Sequence, residues 1–183
     1  MGRAQSPSGG SVSPSGDGAR SPRPAPRAAG ARMLVGWREW VGLPELGVAA
    51  VKAKIDTGAR TSAIHAFTIE PFTREGEDWV AFVLHPVQGD NTVRVACEAR
   101  VHDRRVIKSS SGHEQHRYVI RTALVLGGET WPVELTLARR DEMGFRMLIG
   151  RSALRRRVVV DPARSFLCSP KDMTPPAQRG PKG

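Results

Sequence analysis

Cysteine, aromatic residues and long apolar runs are all scarce in this chain of 183 residues. The two cysteines, Cys97 and Cys168, are too few and too far apart for a disulfide framework or a Cys-x-x-Cys metal site, so we interpret both as small buried hydrophobic residues. Five Phe, four Trp and one Tyr offer little surface for stacking bases, which argues against a nucleic-acid partner. No apolar run approaches the roughly 20 residues that span a bilayer, so we expect a soluble cytoplasmic protein without a membrane partner.

Two common cofactor motifs are also missing. No Gly-x-x-x-x-Gly-Lys-[Ser/Thr] phosphate loop occurs, so any dependence on ATP would reside in a partner. The segment HEQH at 113–116 spaces its histidines three apart, whereas the helical His-Glu-x-x-His zinc motif spaces them four apart. We therefore predict no cofactor and no metal. A zinc site assembled in space stays open as an alternative, and its candidate ligands are His65, His85, His102, His113 and Cys97.

The ends of the chain differ from its middle in composition. Residues 1–32 are dominated by Gly, Pro, Ser, Ala and Arg, so we predict a disordered tail, with Met33 as an alternative start. Residues 169–183 are predicted to form a second disordered tail, which leaves residues 33–168 as one domain. The two tails carry +6 of the formal net charge of +10, and the remaining +4 on the domain suits an acidic ligand.

The domain alternates short apolar runs with turn residues, a pattern that predicts an all-β barrel or sandwich. Gly127-Gly128 predicts a tight hairpin, and residues 152–157 are the one convincing helical segment, with Ser152 as its N-cap. Residues 158–168 are predicted as a turn between two short strands. The other predicted strands are 34–41, 51–55, 61–68, 79–84, 92–96, 101–109, 116–126, 130–138 and 145–150.

A carboxylate stands at the end of one predicted strand. Apolar residues alternate with Lys52 and Lys54 up to Asp56, as in a half-buried strand. A carboxylate is costly to bury unless it is hydrogen-bonded. Gly58 has no Cβ, so the chain can turn and bring backbone N–H groups to the carboxylate, and the Thr57 hydroxyl can lock the loop by a hydrogen bond. We therefore predict a rigid loop that presents a single acid.

The residues of this loop carry a family resemblance. Residues 56–59, Asp-Thr-Gly-Ala, resemble the signature of retropepsins, and residues 147–151, MLIGR, resemble the apolar-apolar-Gly-Arg segment before the C-terminal helix of retroviral proteases. The stretches KIDTGARTSAIHA, SSSGHEQHRYVIRT and RDEMGFRMLIGRSAL are similar to the bacterial family labelled "ATP-dependent zinc protease". Its members occur alone or beside RimK-type ATP-grasp glutamate ligases. The resemblance spans 35–167 and implies a retropepsin-like closed β-barrel with one short C-terminal helix.

The resemblance also implies an activity, that of an aspartic endopeptidase. Its chemistry needs two carboxylates that share a proton, one to activate water and one to protonate the peptide carbonyl. The chain has one Asp-Thr-Gly and no Asp-Ser-Gly, so we predict a two-fold homodimer that pairs Asp56 with its copy. The implied roles of other residues are a supporting loop (Thr57, Gly58, Ala59), a structural segment (Gly150, Arg151) and a flap or substrate wall (Ser110, Ser111, Gly112, His113). An ordinary solvated loop stays open for the last group.

The chain departs from the retroviral pattern at one position. Retroviral proteases usually carry an acid after the Ala, where this chain has Arg60, so Arg151 needs another partner. Asp103, Asp141 and Asp161 all remain open as that partner. A more basic cleft would suit acidic or glutamate-extended peptides as substrates. The alternatives are a non-catalytic module that binds a peptide or a RimK-type ligase, and a zinc-dependent peptidase.

Overall fold

The computed structural model describes residues 31–108, 114–139, 144–171 and 173. Residues 1–30, most of the predicted N-terminal tail, lie outside them. The described residues form ten strands, one 3-10 turn at Pro44–Leu46 and one α-helix, α1, at Arg151–Leu154. The strands are β1 (Met33–Gly36), β2 (Arg38–Leu43), β3 (Val48–Asp56), β4 (Ser62–Arg74), β5 (Glu77–Leu84), β6 (Val95–Lys108), β7 (Glu114–Leu126), β8 (Glu129–Ala138), β9 (Met147–Gly150) and β10 (Val158–Asp161).

Eight of these strands form one sheet that closes on itself. Their order is β2-β3-β9-β4-β5-β6-β7-β8, and additional pairings of β2 with β7 and of β4 with β8 join the ends into a ring. β1 and β10 form a separate parallel pair. The predicted all-β barrel with one short helix is therefore confirmed. No helix among the described residues is long and apolar enough to cross a membrane.

The interior of the ring holds the apolar residues of the alternating strands. Burying an aliphatic side chain of this size stabilises the fold by about 1.5–3 kcal/mol, so the alternation itself determines which face of each strand turns inward. Cys97 belongs to this core and Cys168 is half-buried against it. The largest fully buried apolar side chains are Met33, Leu43, Leu84, Ile120, Leu124, Leu126, Leu135, Leu137, Met147 and Ile149.

The hairpins follow the turn residues of the sequence. Gly127 and Gly128 have φ of 58° and 84°, as the two central positions of a type I′ turn require, and they join β7 to β8. Glu75 and Gly76 also have positive φ and join β4 to β5. The predicted Gly-Gly hairpin turn is therefore confirmed.

The strand predictions for 92–109 and for 158–168 are wrong. Residues 92–96 and 101–109 were predicted as separate strands, but β6 runs without a break from Val95, because its first half pairs with β5 and its second half with β7. A register shift between Val101 and Asp103 marks the change of partner. The second short strand predicted within 158–168 does not form, since residues 162–168 follow β10 as an irregular segment.

The helix is shorter than predicted, and its cap lies elsewhere. α1 begins at Arg151 after an extended Gly150 (φ −85°, ψ 171°), so Gly150 rather than Ser152 is the N-cap. Arg155 leaves the helical region with ψ of 128°, and Arg156 has φ of 65°, which ends the helix after one turn.

A buried carboxylate fastens the C-terminal segment to β2. Glu39 is 0% exposed. Its Oε1 accepts hydrogen bonds from the N–H groups of Gly36 at 2.7 Å and Leu167 at 2.8 Å, and its Oε2 accepts one from the Ser169 hydroxyl at 2.5 Å. A buried charge needs such donors, so Glu39 and the segment that supplies them depend on each other. Ser169, which the sequence assigns to the C-terminal tail, is thereby bonded to the fold.

We expect Glu39→Ala to lower the free energy of unfolding by about 3 kcal/mol, because buried N–H groups lose their acceptor. Glu39→Gln keeps one carbonyl oxygen and should lose less. Urea denaturation followed by tryptophan fluorescence measures both. The matched control is Glu98→Ala, which removes an exposed ion pair with Arg74 and should cost under about 1 kcal/mol. A loss in Glu39→Ala no larger than that of the control would contradict this role.

Candidate active site

Asp56 is the last residue of β3 and lies half-buried where the chain turns away from the sheet. Its Oδ1 accepts hydrogen bonds from the N–H groups of Gly58 at 3.1 Å and Ala59 at 3.2 Å. The described part of the chain gives its Oδ2 no hydrogen bond. The loop therefore fixes the orientation of the carboxylate through one oxygen and leaves the other for water or a second acid.

The glycine of this loop lies close to the Asp56 carboxylate. A Cβ on Gly58 would lie 3.3 Å from Asp56 Oδ1, which is tighter than ordinary van der Waals contact. The expected contribution of Thr57 differs. Its side chain is exposed, and its hydroxyl has no hydrogen-bond partner among the described residues, so within a single chain it does not lock the loop.

The segment that follows β9 supports the loop from the other side. β9 pairs in parallel with β3, which places Gly150 opposite Asp56. Gly150 N–H donates to the Ser62 hydroxyl at 3.1 Å, and Arg151 N–H donates to the Ala59 carbonyl at 2.9 Å. A Cβ on Gly150 would lie 2.5 Å from the backbone of Thr61, so no larger residue fits there without a shift of the chain.

The guanidinium group of Arg151 bonds to the loop backbone. Its Nη1 donates to the carbonyl oxygens of Thr57 and Gly58, each at 2.8 Å. Neither described candidate acid is its partner, because Asp103 pairs with Arg105 at 2.9 Å and Asp161 with Arg164 at 2.6 Å. The third candidate, Asp141, lies outside the described residues. The expectation of an acidic partner at Asp103 or Asp161 is therefore wrong.

Two open grooves adjoin the loop and meet at Arg60 and Ser152. Groove A has a volume of about 650 Å³ and includes Thr57; its walls are the apolar side chains of Leu154, Val158 and Val160 and the arginines Arg60, Arg151, Arg155 and Arg156. Groove B has a volume of about 620 Å³ and contains Arg60, Thr61, Arg105, Arg121, Glu134 and Ser152. Both volumes fall in the range of ligand-binding clefts.

The loop, its supporting segment and the closed sheet agree with a family match. Residues 34–171 match the family described as RimB-like, "Retropepsin-like aspartic endopeptidase RimB". The chain belongs to this family. The resemblance to retropepsins, inferred from residues 56–59 and 147–151, is confirmed.

Curated proteins with similar sequences carry a different name. The chain is 52% identical over 140 residues to a "Probable alpha-L-glutamate ligase" of Shewanella pealeana, and the match covers 76% of this chain and 31% of that protein. A protein of the same name from Desulfotalea psychrophila is 50% identical over 133 residues, covering 73% of this chain and 29% of that protein. The chain therefore spans less than a third of the curated relatives it matches.

A solved structure supports the fold. The protein Lpg0085 of Legionella pneumophila, described as of unknown function, superposes with a TM-score of 0.64 at 23% identity. The match covers 76% of this chain and all of that one. It shows that the RimB-like chain shares its architecture with an experimentally determined protein.

The predicted flap of this RimB-like chain cannot be placed. Ser110, Ser111, Gly112 and His113 lie outside the described residues. The strands on either side, β6 and β7, pair up to Lys108 and Glu114. The flap or substrate-wall role stays a prediction.

The candidate zinc ligands that the structure describes, His65, His85, His102 and Cys97, do not form a group that could hold a metal ion, and His113 lies outside the described residues. His65 and His85 both contact the ring of Phe67, with centroids 4.3 and 4.4 Å apart, whereas His102 Nε2 lies 3.5 Å from Glu134 Oε1. Within residues 31–108, 114–139 and 144–171, no three His, Cys, Asp or Glu side chains are grouped so that they could hold a metal ion. The described residues therefore do not fit a zinc site.

Two of these candidate ligands have shifted pKa values, and both shifts favour the uncharged form. Burial raises the pKa of the Cys97 thiol to about 12, so the thiol stays protonated near neutral pH and is a poor nucleophile or ligand. Burial, aided by the nearby Arg146 guanidinium, lowers the pKa of His85 below its usual value. Both residues belong to the interior rather than to the grooves.

We expect Arg151→Ala to loosen the Asp56 loop, because two carbonyl groups lose their shared donor. The exchange of the Gly58 amide hydrogen should accelerate about fivefold, which corresponds to roughly 1 kcal/mol. Hydrogen exchange followed by NMR measures this. The matched control is Arg155→Ala, which removes the same charge from the end of α1 but no hydrogen bond to the described residues of the loop. Equal acceleration in both variants would show that charge, not the carbonyl contacts, matters.

Proposed function

We propose that the chain is an aspartic endopeptidase in which Asp56 and the Asp56 of a second copy activate water across a two-fold axis. The observation that carries the proposal is the way in which the loop holds the Asp56 carboxylate. Two amides hold its Oδ1, while its Oδ2 has no hydrogen bond to the described residues, and the next residue, Thr57, lines groove A. The family match supports this reading, since the family is described as retropepsin-like aspartic endopeptidases.

The proposed chemistry follows from two acids held close together. Carboxylates about 3 Å apart would repel by roughly 5 kcal/mol at an effective dielectric of 20, so the pair keeps one proton between them. The ionised member takes a proton from water, whose oxygen attacks the peptide carbonyl carbon, and the protonated member donates its proton to the carbonyl oxygen. The amine then leaves with a proton from the pair as the C–N bond breaks.

The loop residues have distinct parts in this proposal. Gly58 and Ala59 orient the catalytic carboxylate by their N–H groups, and Arg151 holds the carbonyls of the same loop. Gly150 permits the close backbone approach that brings Arg151 there. Orientation of this kind matters because an aspartate that rotates freely would present its proton in the wrong direction.

We further propose acidic or glutamate-extended peptides as substrates. Arg60 and Arg151 are exposed beside Asp56, and neither has a carboxylate partner among the described residues. The curated relatives carry the name of a glutamate ligase on much longer chains that contain a matching region. This arrangement supports a functional link to a RimK-type ligase, whose glutamate-containing products would be the peptides cut.

The second candidate function is a non-catalytic module that binds an acidic peptide or a ligase partner. Arg60 and Arg151, which have no carboxylate partner among the described residues, favour it, because binding needs the charge but not the acid pair. The two functions differ in what they require of Asp56.

We expect Asp56→Asn to reduce cleavage of glutamate-rich or unstructured peptides between pH 4 and 7 by about a thousandfold, since the pair loses its base. Mass spectrometry of the products measures the rate. Asp78→Asn, which alters an exposed acid paired with Arg104 outside both grooves, should cleave normally. Unchanged cleavage by Asp56→Asn would reject the acid pair. Loss of cleavage to a chelator would instead support zinc, and no cleavage by the unaltered protein would support the binding module.

Mixing subunits tests the shared site directly. If each site needs an aspartate from both copies, adding a ninefold excess of Asp56→Asn chain should reduce the activity per unaltered subunit to about one tenth. Sedimentation of the same mixtures measures the dimer. Activity that stays constant while subunits exchange would show that one chain suffices, and a strict monomer at micromolar concentration would count against the acid pair.

A further inference from the structure

The arginines of the described chain differ in how they are neutralised. Three arginines of β4 and β6 that line neither groove are paired with carboxylates at 2.5–2.9 Å: Arg74 with Glu98, Arg100 with Glu77 and Arg104 with Asp78. Arg60 and Arg121 in groove B have no carboxylate partner among the described residues, and both are exposed. Charge in groove B is therefore available to a ligand.

Groove B already contains one ion pair, between Arg105 and Glu134, which reduces the positive charge that can attract a ligand. Arg105 donates to Glu134 at 3.3 Å and to Asp103 at 2.9 Å, so its charge is satisfied. Three arginines and one glutamate leave the groove with a net charge of +2, carried by Arg60 and Arg121. The hydroxyl groups of Thr61 and Ser152 add hydrogen-bond donors beside these two guanidinium groups.

We propose that groove B is a carboxylate-binding subsite in which Arg60 and Arg121 bind the side chain of a glutamate or aspartate near the peptide bond to be cut. This inference rests on the proposed function, because it takes an acidic peptide as the ligand. Binding itself does not require cleavage. Guanidinium groups bind carboxylates through two parallel hydrogen bonds, so the pair would select an acid over the corresponding amide.

The position of groove B relative to Asp56 suits this role. Arg60 follows Asp56 by four residues, and its backbone carbonyl accepts the Ser152 N–H at 3.0 Å, so the rigid contact between loop and helix holds it in place. Arg60 and Ser152 also line groove A, which includes Thr57. An extended peptide advances about 3.3–3.6 Å per residue, so we expect a peptide that passes Asp56 to extend into groove B.

The experiment measures binding in the full-length Asp56→Asn chain, where cleavage cannot interfere. Fluorescence anisotropy compares labelled hexaglutamate with hexaglutamine at pH 7 and 0.15 M salt. We expect a preference for hexaglutamate that falls about tenfold in Arg121→Gln and in Arg60→Gln. Arg121→Lys keeps the charge without the paired donors and should lie between. The matched control, Arg100→Gln, removes one arginine that is paired with Glu77 and should bind within about twofold.

The outcomes separate this inference from the peptidase proposal. Equal weakening by Arg100→Gln and Arg121→Gln would mean general charge attraction and would overturn the subsite. A phosphoserine peptide that binds more tightly than hexaglutamate would overturn its assignment to carboxylates. Binding that depends on Arg121 without any cleavage by the unaltered protein would keep the subsite and reject the peptidase. Cleavage with equal KM in Arg121→Gln and the unaltered protein would keep the peptidase and reject the subsite.

Discussion

The contact between the Asp56 loop and the end of β9 determines the geometry of the whole site. β9 lies between β3, its parallel neighbour, and β4, its antiparallel neighbour. The chain that joins β3 to β4 must therefore cross the end of β9. It does so at a distance so short that Gly150 has no room for a Cβ, and successive backbone groups of the two segments bond at 2.9 and 3.0 Å. The catalytic candidate is thus held by sheet topology and not by its immediate sequence alone.

The same contact explains why arginine can stand where related proteases have an acid. Arg151 uses the loop carbonyls as acceptors, so it needs no carboxylate at position 60. Position 60 then carries a second positive charge at the boundary of the two grooves. Arg151 thus supports the loop without an acid at position 60, while Arg60 adds a positive charge to both grooves. Fold support and ligand preference are therefore separable at this site.

Much of the fold and the loop could be predicted from the sequence because they depend on local patterns. Alternation along 51–55 identified β3, and the Gly-Gly dipeptide identified the turn at 127–128, where both glycines have positive φ. The partner of Arg151 could not be found this way, since its acceptors lie more than 90 residues away and are backbone groups, which carry no sequence signal. Glu39 was missed although a signal exists: it alternates with the apolar Val41 and Leu43 on the buried face of β2.

The charges of Arg60 and Arg151 would affect the stability of the proposed dimer. Bringing two copies of Asp56 together also brings together two loops that each carry Arg60 and Arg151, and like charges at partly buried sites are less screened than those in bulk water. An acidic peptide bound between the copies would offset that repulsion. Because linkage is reciprocal, a substrate that binds the pair more tightly than the single chain also favours the pair. The charge that selects the substrate would then contribute to assembling the site that cuts it.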